Sequence, residues 1–247
     1  MQRLWPDPAP VEDVAELVAA AARPAPPERP WLLVNMIASL DGAITVDDRS
    51  GGLGRPADRA VFSALRAVAD VVLAGAGTVR AEGYGPPRPS ASARAARQAR
   101  GQAAAPRLAV VSRSLELDVD AELFRAAEEP PLVLTCAAAP PERRRALDAV
   151  AEVVVAGDEA VDLVEALSEL RRRGVATITA EGGPTLNGHL LAADVIDEWD
   201  LTVSPLLVGG DAGRAVVGPR LVEPREAELS WLLEGDGLLL GRWLRVR

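Results

Sequence analysis

The 247-residue chain contains no lysine, one histidine and one cysteine, so all of its side-chain positive charge is arginine. These absences exclude more chemistry than any compositional average. Without lysine there is no Walker-A phosphate loop, no Schiff-base lysine and no anchor for pyridoxal phosphate. His189 and Cys136 are too few for a zinc site of the His/Cys type, and no metal site is expected. No serine stands in a G-x-S-x-G setting, and a hydrolase triad would depend on His189 as its one imidazole, which argues against hydrolysis by a familiar nucleophile. A single cysteine rules out an internal disulfide, and Cys136 within the strand-like PLVLTC reads as a small core residue. No apolar run reaches the roughly 18 to 20 residues that span a bilayer. The start, MQRLWPDPAP, lacks the apolar centre of a signal peptide, so the expectation is a cytoplasmic protein without a membrane partner. A net charge of −9 argues against a nucleic-acid surface, while leaving room for a small anion held by local dipoles and a few arginines. The all-arginine, alanine-rich composition is explained most simply by coding bias.

A hydrophobic content of 49% in a chain of this length is ample for a packed core. VEDVAELVAAAA (11–22) has helical periodicity and runs into the proline-rich RPAPPERP, so residues 1–29 are expected as a helix and connection ahead of a single domain over 30–247. From Trp31 onward, apolar runs of strand length recur at 31–39, 70–76, 107–112, 131–136, 152–157 and 177–183. Helical segments over 56–69, 140–150 and 159–174 separate several of them. Strands apolar throughout, alternating with helices, predict a three-layer α/β/α fold around a mostly parallel sheet. Residues 198–210 and a hairpin turning at Gly235-Asp236-Gly237 predict three more strands, read as antiparallel additions. That hairpin carries Trp231 and Trp243 and serves either the core or a second subunit. The stretch 83–106, rich in Arg, Ala and Pro, is expected as an exposed mobile loop with one helical turn.

Two strand ends have the form of an anion cradle, in which a helix N-terminus offers unpaired N–H groups and a partial positive charge. In VVLAGAGTVRAEGYG a strand ends at Gly75 and turns through Gly77 to Thr78. In TITAEGGPTLNGHLL, Gly182 and Gly183 permit close backbone approach, Pro184 suits a first helical turn and Thr185 adds a hydroxyl. Neither is a Rossmann fingerprint, because Arg80 stands where the third glycine belongs. Either turn alone is an ordinary α/β connection; the pair suggests a nucleotide site of another kind.

SLDG (39–42), LRAVADVVLAGAGTV (65–79), AEGGPTLNGHLLAADVIDE (180–198) and SPLLVGG (204–210) occur in the order found in the reductase domain of riboflavin biosynthesis, which the chain resembles from Pro30 to its end. The resemblance implies the dihydrofolate-reductase fold, a homodimer, and hydride transfer from NADPH to a ribosylaminopyrimidine phosphate. The residues lack the ligand signature of the zinc deaminase that precedes this domain in bifunctional members, so a stand-alone reductase is expected. By position, the cofactor contacts implied are Ile37, Ala38, Thr78, Glu82, Ser112 and the run Gly182, Gly183, Pro184, Thr185, Leu186 and Asn187. Arg113, after Ser112 at a strand end, suits a bidentate grip on the 2′-phosphate and so favours NADPH over NADH.

On the substrate side the resemblance implies Ser50, Arg66, Glu181 and Arg88. Arg66 is the candidate for the phosphate and Glu181 for the ribose hydroxyls; in a generic protein the same residues serve as a helix-face ion pair and a helix-start charge. Asp41 is the candidate for orienting the pyrimidine or assisting protonation, and the alternative is a plain Asp-Gly turn. His189 is expected to pack or cap rather than act as an acid. The resemblance is imperfect near the substrate, where Ala43 replaces a basic residue and Gly52-Leu53-Gly54 replaces an aromatic and hydroxyl segment. Two alternatives therefore accompany the riboflavin intermediate: reduction of dihydrofolate or another pteridine, and a nucleotide-binding dimer without turnover.

Overall fold

The computed structural model describes residues 1–247. The predicted apolar runs form strands β3 (Trp31–Ser39), β4 (Val71–Gly75), β5 (Arg107–Val111), β6 (Leu132–Thr135), β7 (Glu152–Val155) and β8 (Thr177–Ala180). Ahead of them lie β1 (Gln2–Trp5), β2 (Ala9–Pro10) and α1 (Val14–Ala20), and after them β9 (Glu198–Ser204), β10 (Ala227–Gly235) and β11 (Leu238–Arg245). The connecting helices are α2 (Pro56–Val68), α3 (Ala76–Glu82), α4 (Ala91–Ala99), α5 (Glu122–Arg125), α6 (Pro141–Leu147), α7 (Leu163–Arg172) and α8 (Pro184–Ala192). Local chemistry sets their ends. Pro56 and Pro184 open α2 and α8, while Asp162 caps α7 by accepting from the Val164 and Glu165 N–H groups at 2.9 and 3.0 Å.

One sheet of 11 strands runs in the order β2-β1-β10-β11-β9-β3-β8-β4-β5-β6-β7. Strands β9 through β7 in that order pair in parallel, so β9 is a parallel neighbour of β3 rather than an antiparallel addition. The antiparallel part begins at β11 and extends through β10 to β1 and β2. The first 29 residues thus do more than precede the domain: β1 lies beside β10, and Val18 of α1 is fully buried against the α2 side of the sheet. No helix is long and apolar enough to cross a membrane.

The parallel half is covered on both faces. Leu73, Leu134, Ile178 and Ala180 pack under α7 and α8, whereas Val72, Ala74, Val110 and Val133 face the opposite cluster around Phe124 and Leu147. On the other side of β3, α1 and α2 cover Leu33 together with Trp231, Leu233, Leu238 and Leu240 of the antiparallel half. The alternate positions Trp199, Leu201, Val203, Leu239 and Trp243 lie on the other face and are only partly covered, with Leu239 40% exposed.

Strand β9 reverses the usual pattern, since its buried residues are Glu198, Asp200, Thr202 and Ser204. Glu198 accepts from Arg23, Trp31 and Arg242, which satisfies its charge in the interior.

The stretch expected as a mobile loop contains the nine-residue helix α4, started by Ser90, whose hydroxyl accepts from the Ala93 N–H. Arg97, fully buried, reaches from it to the carbonyls of Ala67, Ala69 and Ala103. The last carbonyls at the end of α2 have no helical donors, and a guanidinium supplies them at that end of the helix dipole. Because the fastening is polar, a search for large apolar residues does not detect it.

Candidate active site

The two glycine turns are neighbours because β8 and β4 pair directly. The Gly75 N–H donates to the Gly182 carbonyl at 2.8 Å, and a Cβ on Gly183 would stand 2.4 Å from Thr78 Oγ1. Only glycine permits that approach at 183, and Gly182, at φ 92°, occupies a backbone region that other residues rarely adopt. Neither Gly75 nor Gly183 brings a side-chain cap to its helix. In α8 the first helical bond runs from the Asn187 N–H to the Gly183 carbonyl, leaving the Thr185 and Leu186 N–H groups ahead of it.

Both turns open on a single cleft of about 1200 Å³, at the upper limit for one small ligand and roomy enough for two side by side. Among the expected residues, Ile37, Ser50, Thr78, Glu82, Ser112, Arg113, Glu181, Gly182, Gly183, Pro184, Thr185, Leu186 and His189 line it. Arg113 is exposed at the end of β5 with no carboxylate partner. Glu82 accepts from the Ser50 N–H at 2.9 Å and so ties the 3-10 turn Ser50–Gly52 to the end of α3. His189 is exposed at the cleft rather than packed.

Five expected residues lie outside the lining: Ala38, Asp41, Arg66, Arg88 and Asn187. Ala38 alternates with Ile37 along β3. Asp41 is exposed, bonded to Ser39 Oγ and to the N–H groups of Val208 and Gly209, the latter at 2.7 Å. These donors lower its pKa to about 2, the Ser39 hydroxyl contributing most, so it is a carboxylate that ties a loop and not a proton donor at neutral pH. Arg88 is exposed and paired with Glu122 at 2.7 Å. Asn187 is buried and donates to the Ala215 carbonyl at 2.9 Å, holding the segment after β9 against α8. Gly188 permits that contact, since a Cβ there would meet the Val217 carbonyl at 2.2 Å.

Arg66 is engaged within the protein. Its Nε and Nη2 donate to the two oxygens of Glu181 at 2.6 and 2.7 Å, and its guanidinium stacks 4.2 Å from the Phe62 ring centroid. Tyr84 donates to the same carboxylate at 2.8 Å, and burial, with the Glu181 charge beside it, holds the phenol well above its ordinary pKa. Arg66 thus directs Nε and Nη2 at Glu181, whose carboxylate stands in the cleft wall.

The cleft contains further residues that sequence reasoning missed, above all Asp58, Arg59, Phe62 and Tyr84. Burial raises the pKa of Asp58, with Thr202 and the Arg59 charge pulling the other way. In the sequence, Asp58 looks like an acidic residue in a helix's first turn, a common arrangement that carries no functional signal. Tyr84 had a fainter signal, as the only tyrosine of the chain in a Gly-Tyr-Gly turn beside the cradle.

Comparison with known proteins agrees with this geometry. A reductase of 2,5-diamino-6-ribosylamino-4(3H)-pyrimidinone 5′-phosphate from Archaeoglobus fulgidus is 34% identical over 183 residues, 74% of this chain and 83% of the relative. The protein of the same name from Aquifex aeolicus is 31% identical over 77% of this chain and 84% of its own length. Among solved structures, a pyrimidine reductase-like protein from Corynebacterium diphtheriae superposes with a TM-score of 0.82 at 27% identity, covering 95% of this chain and 99% of that one. A family model described as the RibD C-terminal domain matches residues 30–239, and the chain belongs to that family.

Proposed function

We propose that the protein is an NADPH-dependent reductase acting on 2,5-diamino-6-ribosylamino-4(3H)-pyrimidinone 5′-phosphate in riboflavin biosynthesis. The observation that carries this reading is the meeting of two uncapped glycine turns at the carboxyl ends of β4 and β8, beside a cleft wall that carries Glu181. The names of the Archaeoglobus and Aquifex relatives favour this pyrimidine over dihydrofolate.

The residues present fit a dinucleotide. Thr78 Oγ1 and the N–H groups opening α8 offer donors for the diphosphate, and Arg113, just past the neighbouring strand β5, offers a planar fork for a 2′-phosphate. A bound nicotinamide supplies the hydride; the protein's contribution is placement. Tyr84 and Arg66 hold the Glu181 carboxylate rigid, ready to accept from ribose hydroxyls with an unshared lone pair. Arg59, exposed and without a carboxylate partner in the same cleft, takes the phosphate role first expected of Arg66.

We also propose a homodimer formed through the partly covered face of Trp199, Leu201, Val203, Leu239 and Trp243. Its test is the mass in solution of the wild type and of Leu239→Glu, with a monomeric wild type overturning it. For activity, NADPH oxidation is followed with the diaminopyrimidine and, separately, with dihydrofolate. Turnover of the first supports the proposal. Binding of NADPH without turnover of either would establish the non-catalytic alternative.

A further inference from the structure

Four carboxylates line the cleft: Asp48, Asp58, Glu82 and Glu181. Three have evident occupations. Glu181 is held by Arg66 and Tyr84, Glu82 accepts from the Ser50 N–H, and Asp48 is exposed to water. Asp58 stands apart. It lies half-buried in the first turn of α2, beside Thr202 of β9, and no ion pair holds its carboxyl.

The surroundings of Asp58 give it a firm base and an open side. Thr202 is 2% exposed and sits directly opposite Ile37 in the β3–β9 register, so the strand behind the carboxyl is fixed at the cleft wall. A Cβ on Gly54 would come within 2.9 Å of Asp58 Oδ2, so the absence of a side chain there keeps that oxygen uncrowded. An acceptor partly removed from water, with spare lone pairs, gains most from a ligand that brings N–H donors.

We propose that Asp58, backed by Thr202, selects the pyrimidine by accepting the paired donors of a 2-amino-4(3H)-pyrimidinone edge, the ring N3–H and the 2-amino group. The inference rests on the proposed function and names a specificity residue for it. Two parallel N–H groups match two carboxylate oxygens in the same way as a guanidinium fork does. A uracil edge keeps the N3–H but places a carbonyl where the amino group was, setting one acceptor against another and leaving a desolvated oxygen unpaired.

The test compares the 2,5-diaminopyrimidinone substrate with its 5-aminouracil counterpart, using wild type, Asp58→Asn and Gly54→Ala. One bidentate pair corresponds to a preference of about 5- to 150-fold, expected in kcat/KM for the diamino compound with wild type. Asp58→Asn, whose amide offers one donor and one acceptor, abolishes or reverses that preference while NADPH affinity stays unchanged. Gly54→Ala crowds Oδ2 and raises KM for the diamino compound more than for the uracil. An unchanged ratio in Asp58→Asn, or a wild type that prefers the uracil, overturns the assignment of Asp58 and leaves the reductase reading intact. If the wild type turns over neither compound, the reductase reading fails, and Kd values for the two pyrimidines decide the role of Asp58: a preference lost in Asp58→Asn supports it, and equal wild-type affinities overturn it.

Discussion

Arg66 and Glu181 form a two-point ion pair that joins helix α2 to the end of strand β8, with N···O distances of 2.6 and 2.7 Å. The Glu181 side chain is 3% exposed and that of Arg66 25%. Removing the cation leaves a buried carboxylate with Tyr84 as its remaining side-chain donor, so Arg66→Ala is expected to destabilise the fold by about 3 kcal/mol in urea unfolding. In kinetics, the loss should fall equally on the phosphorylated substrate and its dephosphorylated form. A defect confined to the phosphorylated one would restore Arg66 as a phosphate ligand.

Arg59 makes the complementary prediction. It is exposed in the cleft lining, one residue beyond Asp58, and holds no carboxylate of its own. A charged hydrogen bond contributes about 1.5–3 kcal/mol, so Arg59→Ala should raise KM for the phosphorylated pyrimidine by about 10- to 150-fold. KM for the dephosphorylated compound should not move. Equal effects on both would show that the phosphate binds elsewhere.

Arg113 lies in the same cleft at the end of β5, beside Ser112. If its guanidinium grips the 2′-phosphate, Arg113→Ala weakens NADPH by about tenfold or more and leaves NADH unaffected. Titration of both cofactors against both proteins is the measurement, and an unchanged NADPH to NADH ratio would sink the assignment.

Most of the sheet was legible because its strands bury apolar residues continuously and its turns are marked by glycine and proline. The same logic failed where polar residues do the burying. Glu198, Asp200 and Thr202 form the covered face of β9, so nothing in their types showed that this strand lies inside the sheet, parallel to β3. The two glycine turns were legible because a positive φ at 182 and a close approach at 183 demand glycine. The ion pair in the cleft wall was not, because it depends on which long side chains pair with one another. Arg66 and Glu181 are 115 residues apart in sequence, and a spacing pattern cannot show that they neutralise each other rather than a ligand.

Arg97 illustrates that limit in the connection between α3 and β5. Its fully buried guanidinium donates to the Ala67, Ala69 and Ala103 carbonyls, so Arg97→Met strands the Ala69 and Ala103 acceptors, while Arg100 still donates to Ala67. The expected cost is about 2–4 kcal/mol, at about 1–3 kcal/mol for each unsatisfied group with partial relief from water. Hydrogen exchange should show faster exchange in α4 and the last turn of α2, with β4 and β8 still protected. Uniform acceleration across the sheet would mean that Arg97 supports the whole core and not one helix.

Asp200 supplies the pH prediction. Both of its oxygens are buried without a conventional hydrogen-bond partner, and burial, reinforced by the neighbouring Glu198 carboxylate, raises its pKa well above the ordinary 3.8, against the pull of Arg23 and Arg242. A carboxyl that holds its proton more tightly when folded contributes stability that is complete below 3.8 and declines as pH rises toward the folded value. An amide at this position has no proton to lose, so Asp200→Asn should match the wild type in acid and exceed it in Tm by a margin that widens as the pH rises above 3.8, measured by thermal unfolding. The raised pKa fits the way Glu198 and Asp200 coexist on one buried strand face with two arginines. One carboxylate, Glu198, takes both guanidinium groups, and Asp200 has no hydrogen bond to either. A variant less stable than the wild type at every pH would show instead that Asp200 is ionised and that Arg23 and Arg242 are shared between two charges.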